Sequence, residues 1–287
     1  MAEPFPTCYL NGEYLPLRDA RVSPLDRAFL YADSIYEVLP VYDGRPFRLH
    51  AHCARLNRSL GEIRMAAPHT DLEWADIVGG LARRNGGGDM YIYLQVTRGA
   101  EYGRNHAIPT GLTPTIFGFA AALPVMSAEM LNHGVSAVTA EDQRWGRCDI
   151  KSTALLANVL AKQVAVDAGA LETILLRDGR LMEGSSTTVH VVRSGVLCVP
   201  PNSRQILPGT TRDVVLELAE RARIAIKVAE IAVADLVSAD EIWLGAATRE
   251  VVAVTRLDGR PVGSGRPGPL WRRVYDLFQL YKRELAQ

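Results

Sequence analysis

An amine that attacks a carbonyl must first lose its proton. Arginine's guanidinium never does so in a protein, so that chemistry falls to lysine. The sequence holds 32 basic residues, and only Lys151, Lys162, Lys227 and Lys282 are lysines. Lys162 falls on the polar side of an apolar helix, Lys227 in the alternating stretch 223–228, and Lys282 in a charged C-terminal helix. Lys151 stands apart, in Cys148-Asp149-Ile150-Lys151-Ser152. There a short strand is expected to end and an apolar helix over 153–166 to begin. Such a junction can present a side chain to a cleft while the scaffold stays rigid. The ordinary alternative is a solvated loop lysine.

Three further stretches have spacings that chemistry can use. In Arg104-Asn105-His106, side chains two apart in an extended loop point the same way, and arginine's fork of donors matches a carboxylate. The alternative is a solvated loop. Leu207-Pro208-Gly209-Thr210-Thr211-Arg212-Asp213 opens a helix, where free N–H groups and the dipole's positive end favour an anion; a threonine cap explains the same residues. Gly245-Ala246-Ala247-Thr248-Arg249-Glu250 is a small-residue loop that lets backbone approach a ligand, or a tight turn. Gly86-Gly87-Gly88 follow a helix rather than precede one, so they read as its stop.

The elements that position these residues follow from periodicity. Hairpins are expected around Asn11-Gly12 and Asp43-Gly44, with a strand over 36–42. The stretch 25–34 between them is too polar and too rich in special residues to be a mere connector. A helix over 50–63 has Cys53, Leu56, Leu60 and Ile63 on one face, and periodicity alone puts Arg55 on the solvated face. A second helix spans 71–84. Strands over 90–97 and 115–121 flank the loop 98–113. The second half reads as strands over 134–140, 172–176, 189–193, 224–230 and 241–244, with helices from 210 to 222, over 233–237 and over 269–285. A linker at 122–128 divides a domain over 1–121 from one over 129–287.

Composition excludes several classes. Hydrophobic residues are 48%, charged residues 22% and formal net charge is zero, which gives no reason to expect nucleic acid or membrane as a partner. No apolar run reaches spanning length. Four scattered cysteines without a C-x-x-C pair argue against a zinc site or a disulfide framework, so no metal is expected. With no secretory signal visible, the expected location is a reducing cytoplasm.

Taken together, five segments resemble the fold-type IV pyridoxal-phosphate aminotransferases. That family includes D-amino-acid and branched-chain aminotransferases, R-selective amine transaminases and aminodeoxychorismate lyase. The segments are Asp33-Ser34-Ile35-Tyr36-Glu37-Val38, His52-Cys53-Ala54-Arg55-Leu56, Cys148-Asp149-Ile150-Lys151-Ser152, Glu183-Gly184-Ser185-Ser186-Thr187-Thr188 and Gly209-Thr210-Thr211-Arg212-Asp213, in family order. The Tyr36-Glu37-Val38 strand and Arg104-x-His106 resemble the D-amino-acid branch in particular.

The resemblance implies a mixed α/β (α+β) chain, with a smaller N-terminal α/β domain and a larger C-terminal domain built on a barrel-like sheet. It implies pyridoxal 5'-phosphate held as a Schiff base by Lys151, which also shuttles the substrate's α-proton. Glu183 would pair with the pyridine nitrogen, and Arg55 with Thr210 and Thr211 would hold the phosphate. Leu207 would pack on the ring, with Ser186 nearby. Thr248 would serve the phosphate beside Ala247, where relatives carry threonine. Tyr36, Arg104 and His106 would line the substrate pocket, the last two reaching in from the second subunit of a homodimer. The activity implied is transamination between a D-amino acid and a 2-oxo acid such as pyruvate or 2-oxoglutarate. The alternatives are R-selective amine, branched-chain or lyase chemistry on the same fold, and a silent protein that kept only the fold. The chain departs from its relatives at Ala247, at Thr188 in place of asparagine, and in a longer stretch, Ala100-Glu101-Tyr102-Gly103, before Arg104.

Overall fold

The computed structural model describes residues 3–286. The chain divides into two compact units: residues up to Pro124 together with Ile150–Ala154 form the first, and Val125–Asp149 with Leu155–Leu285 the second. A linear cut at 122–128 leaves out the return of Ile150–Ala154 to the first unit.

The first unit is a six-stranded sheet with two long helices packed on it. Its strands are β1 (Pro4–Leu10), β2 (Glu13–Pro16), β3 (Ser34–Tyr42), β4 (Arg45–Pro46), β5 (Met90–Thr97) and β6 (Thr115–Ala122), in the order β2-β1-β6-β5-β3-β4. Alternation assigns the faces. On β5, Met90, Ile92, Leu94 and Val96 are buried and join a core with Leu56 and Leu60 of the helix Leu49–Glu62 and Trp74, Val78 and Leu81 of the helix Asp71–Arg84. The opposite face carries an aromatic row: Tyr36 stacks on Tyr93 at 5.6 Å between ring centroids, and Tyr93 on Phe119 at 5.2 Å. The second helix starts on a capping box between Thr70 and Glu73 and stops at the three glycines, all at positive φ.

β4 pairs only with the far end of β3, at Val41 and Tyr42. The near end is covered by the returning segment: Tyr36 N donates to Lys151 O at 3.0 Å, Thr153 N to Ser34 O at 3.2 Å, and Ser152 bridges Ile35. Lys151 therefore follows a turn and lies along β3. The short strand expected just before it is absent; the nearest preceding strand ends at Glu141.

The second unit holds β7 (Val135–Glu141), β8 (Glu172–Arg177), β9 (Arg180–Gly184), β10 (Thr188–Arg193), β11 (Val196–Val199), β12 (Ile226–Val228), β13 (Glu241–Ala246), β14 (Glu250–Leu257) and β15 (Arg260–Pro261). The order is β12-β11-β10-β13-β14-β7-β8-β9, with β15 paired to β14. This sheet must curl. Laid flat, β9 and β10 would be five strand spacings apart, about 24 Å. The link from Gly184 to Thr188 can span only about 14 Å. The sheet bends back on itself, β9 lies beside β10, and the result is the barrel-like form expected. Its apolar side includes Ile174, Leu181, Val189, Val191, Ile242 and Leu244. The helix Leu156–Asp167 packs on β7 and β8, and the helix Thr210–Arg221 on β13. Among the described residues, no helix is long and apolar enough to cross a membrane.

Candidate active site

In the first unit, Lys151 Nζ lies over the Tyr36 ring, 4.2 Å from its centroid, and its backbone N–H donates to Ser59 Oγ at 3.3 Å. Tyr36 points to the aromatic face of β3. Its neighbour Glu37, one residue on, therefore points to the helix side. There Glu37 accepts from Arg55 Nε at 2.7 Å and Nη2 at 2.8 Å, and from His52 Nδ1 at 2.8 Å. All three groups are buried. Burial disfavours the Glu37 charge, but Arg55 and then His52 outweigh it and hold the carboxyl well below its usual range. Burial, joined by the charges of Arg55 and Lys151, lowers the His52 pKa against the pull of Glu37, so the ring stays neutral and donates through Nδ1. Arg55 is thus not on a solvated face. The helix buries its polar side as well as its apolar one, because the sheet beneath it supplies a carboxylate.

Arg104 and His106 are exposed and gather on a different ring, Tyr31: His106 lies 5.3 Å from it between centroids, and the Arg104 guanidinium carbon 5.3 Å from its centroid. Tyr31 belongs to a short helix, Arg27–Tyr31, inside the stretch 25–34.

The second unit holds Glu183 near the end of β9. It is buried, and Leu207 N donates to both its oxygens at 3.3 Å. Arg144 donates to it through Nη1 and grips Asp142 with Nε at 2.9 Å and Nη2 at 3.0 Å. Burial raises the Glu183 pKa against the pull of Arg144. Just beyond, the buried carboxylate of Glu172 collects Ser185 Oγ, Ser186 Oγ at 3.1 Å and Thr187 Oγ1 at 3.0 Å, which fixes the turn that carries Ser186. The helix Thr210–Arg221 begins at Gly209 with no side-chain cap, and its N-terminal end carries the positive pole of the helix dipole. A Cβ on Gly209 would come within 2.8 Å of Thr188 Oγ1, so a side chain there would have to displace Thr188. Leu207 is half-buried, Ser186 exposed, and Thr210 and Thr211 are buried. Ala247 and Thr248 form the turn between β13 and β14, both half-buried.

Comparison with known proteins matches residues 34–257 to amino-transferase class IV. The chain belongs to the class IV aminotransferases. It is 39% identical over 269 residues, 94% of each chain, to a D-alanine aminotransferase of Bacillus licheniformis. Among solved structures, it matches the Escherichia coli branched-chain amino acid aminotransferase with a TM-score of 0.90 at 27% identity, covering 96% of this chain and 94% of that one. It also matches a branched-chain amino acid aminotransferase from T.th. solved with pyridoxamine 5'-phosphate, with a TM-score of 0.89 at 28% identity, over 97% and 94%.

For an aminotransferase, the structure adds residues whose part in the site no local sequence pattern reveals. Glu37 appeared only inside a motif, and its partnership with Arg55 and His52 is visible only once β3 and the helix are packed. Arg144 sits in the charged run Glu141-Asp142-Gln143-Arg144, which resembles any solvated loop, yet its side chain is only 6% exposed. Arg27 is buried as well, and the one signal for it was the density of polar residues over 25–34.

Proposed function

We propose that this aminotransferase uses pyridoxal 5'-phosphate to move an amino group between a D-amino acid and a 2-oxo acid. The observation that carries the substrate class is the pairing of Arg104 and His106 on the Tyr31 ring, in a chain whose curated relatives include D-alanine aminotransferases matched along nearly their whole length. Two cationic or donor groups side by side on one loop suit an α-carboxylate.

The donor set fits the cofactor. A buried carboxylate such as Glu183 suits a protonated ring nitrogen, and an uncapped helix start suits a phosphate. In this reading Lys151 holds the cofactor through its amine and moves the substrate's α-proton. Glu183 holds the ring nitrogen. Arg55, Thr210, Thr211 and Thr248 hold the phosphate, Leu207 and Ser186 flank the ring, and Tyr36 lines the substrate pocket. When bound, the cofactor supplies an electron sink for the α-carbon. Glu37 and His52 keep the Arg55 fork in one orientation.

The active form is a homodimer. Supporting this, the helix Leu156–Asp167 leaves Leu156, Val159, Leu160 and Val164 exposed on one face, at spacings a partner surface would cover. The four unpaired cysteines support a reducing cytoplasm.

Arg104→Ala tests the carboxylate assignment. Losing a charged hydrogen bond of roughly 1.5–3 kcal/mol lowers kcat/KM for D-alanine about 10- to 150-fold. Unchanged D-alanine kinetics removes the assignment. The likeness in fold to branched-chain aminotransferases favours a second reading, turnover of L-leucine. Single-turnover reactions with D-alanine, L-leucine and R-1-phenylethylamine, followed at the cofactor's visible band, separate these readings.

A further inference from the structure

The loop that carries Arg104 and His106 has no helix or strand between Thr97 and Thr115, yet it is tied down at both stems and at its crown by two adjacent residues. Asp26 serves the stems: its carboxylate accepts Thr97 Oγ1 at 2.9 Å and Thr115 Oγ1 at 2.8 Å, besides Ala28 N at 2.8 Å. Arg27 serves the crown. Its buried guanidinium donates through Nη1 to Glu101 Oε2 at 2.7 Å and to the backbone oxygen of Asn105 at 2.8 Å. Asn105 is the residue between Arg104 and His106. The other end of the fork is itself fixed: Nε donates to Asp33 Oδ2 at 2.9 Å, and Arg98 holds Asp33 from both oxygens, at 2.7 and 2.9 Å. Backbone bonds complete the frame, Arg27 N to Gly99 O at 2.9 Å and Glu101 N to Leu25 O at 3.3 Å. The Arg27 guanidinium carbon also lies 4.7 Å from the centroid of Tyr31, the ring on which Arg104 and His106 meet.

We infer that the Glu101–Arg27–Asn105 strut is a positioning device that sets where Arg104 and His106 stand, and so sets the enzyme's affinity for the substrate's α-carboxylate. The inference rests on the carboxylate reading given above. The physical reason is geometric. One guanidinium nitrogen shared between a side chain and a backbone carbonyl four residues apart fixes the length of chain between them. The strut starts within the extra residues Ala100-Glu101-Tyr102-Gly103, which would otherwise let the pair drift. A shift of about 1 Å in a positioning group is enough to cost up to 100-fold. Glu101 is joined by the strut to Arg27, and its side chain is 23% exposed, so its removal tests the strut without emptying the core.

The experiment is a double-mutant cycle on the holoenzyme with D-alanine and 2-oxoglutarate, comparing Glu101→Gln, Arg104→Ala and the pair. Glu101→Gln is expected to raise the D-alanine KM roughly 3- to 30-fold with kcat within about twofold. Its thermal midpoint stays within about 2 °C of the parent. Added to Arg104→Ala, it raises KM by clearly less than it does in the parent, because one of the two side chains that the strut positions is already lost. Arg27→Lys, which keeps the charge but loses the fork, reproduces the KM rise. An unchanged KM in Glu101→Gln and Arg27→Lys, with Arg104→Ala still impaired, overturns the strut and leaves the carboxylate reading standing. Full multiplication of the two effects also overturns it, since Glu101 then acts by another route. An unchanged KM in Arg104→Ala brings down the carboxylate reading itself, and the strut with it.

Discussion

At the scale of single residues, this enzyme is governed by buried charges that hold one another. Glu37 is ionised in the folded chain because Arg55 and His52 surround it, and its pKa lies below the 4.5 of an unfolded carboxyl. The sign of the linkage follows. Above pH 4.5 both states carry the charge, and the pairing stabilises the fold in full. As pH falls below 4.5 the unfolded state takes up a proton that the native state refuses, and that stabilisation is lost. Glu37→Gln should therefore flatten the acid limb of the stability profile below about pH 4.5, in urea titrations across roughly pH 3–7. It should also destabilise the protein at neutral pH, by about 3–5 kcal/mol, because Arg55 is left buried without this carboxylate. Arg144 makes a parallel case. Arg144→Met leaves Glu183 buried beside Asp142 without the cation they share. The carboxyl that would hold the ring nitrogen then becomes easier to protonate, and cofactor affinity should fall, read by titrating the visible band. Of these groups, only Arg55 and Glu183 had been assigned roles from the sequence, both through the family motif. Glu37 and Arg144 have no local pattern that separates them from ordinary polar residues, because what makes them special is a partner on another element.

At the scale of elements, periodicity was a good guide wherever one face decides the structure. The helix Asp71–Arg84 has its cap, its buried stripe and its glycine stop all within the local sequence, and it forms over the expected residues. The helix Leu49–Glu62 shows the limit. Its apolar stripe was legible, but the burial of His52, Arg55 and Ser59 was not, since a polar side is buried only if another element answers it. β14 was missed because Val251 to Val254 are buried on both faces, which removes the alternation a half-buried strand would show. His190, on β10, is the polar residue that fits its element least. It is fully buried beside Trp243, and among the described residues neither ring nitrogen makes a well-formed hydrogen bond. Burial, and then the nearby Arg212, press its pKa down to about 3 from 6.5, offset only a little by the Trp243 backbone. Between those two values the unfolded chain binds a proton the folded one does not, so stability drops as pH falls through the window, by about 1.4 kcal/mol per unit. His190→Phe should remove that slope. The variant should match or exceed the parent at about pH 7.5, and gain about 1.4 kcal/mol on it at about pH 5.5, in urea midpoints. An equal difference at both pH values would mean that the ring is not held neutral by its surroundings.

At the scale of the molecule, the curled sheet of the second unit constrains what its outer helices can do. The helix Leu156–Asp167 rests on β7 and β8 through a narrow face, and Ala165 is its only fully buried residue. That leaves Leu156, Val159, Leu160 and Val164 exposed, the first, second and fourth falling at 0, +3 and +8 and Leu160 adjoining them at +4. This is a continuous stripe on one side of a helix. Scattered apolar residues on a surface need no explanation, but a stripe of this kind on a helix already packed on its other side does. Covering it removes apolar side chains from water at about 1.5–3 kcal/mol each, enough to matter for a dimer of ordinary size. Val159→Asp with Leu160→Glu places two charges where the partner would have to desolvate them. The double variant should keep its fold, since neither position is buried in the unit, while the proposed dimer dissociates at concentrations where that of the parent would hold, an increase in Kd of at least about 100-fold. Sedimentation at micromolar protein reads the effect directly. If the carboxylate loop works across subunits, the same variant loses D-alanine turnover as it is diluted and recovers it as it is concentrated. A variant that sediments as the parent does at every concentration would show that some other surface joins the subunits and that this stripe faces water.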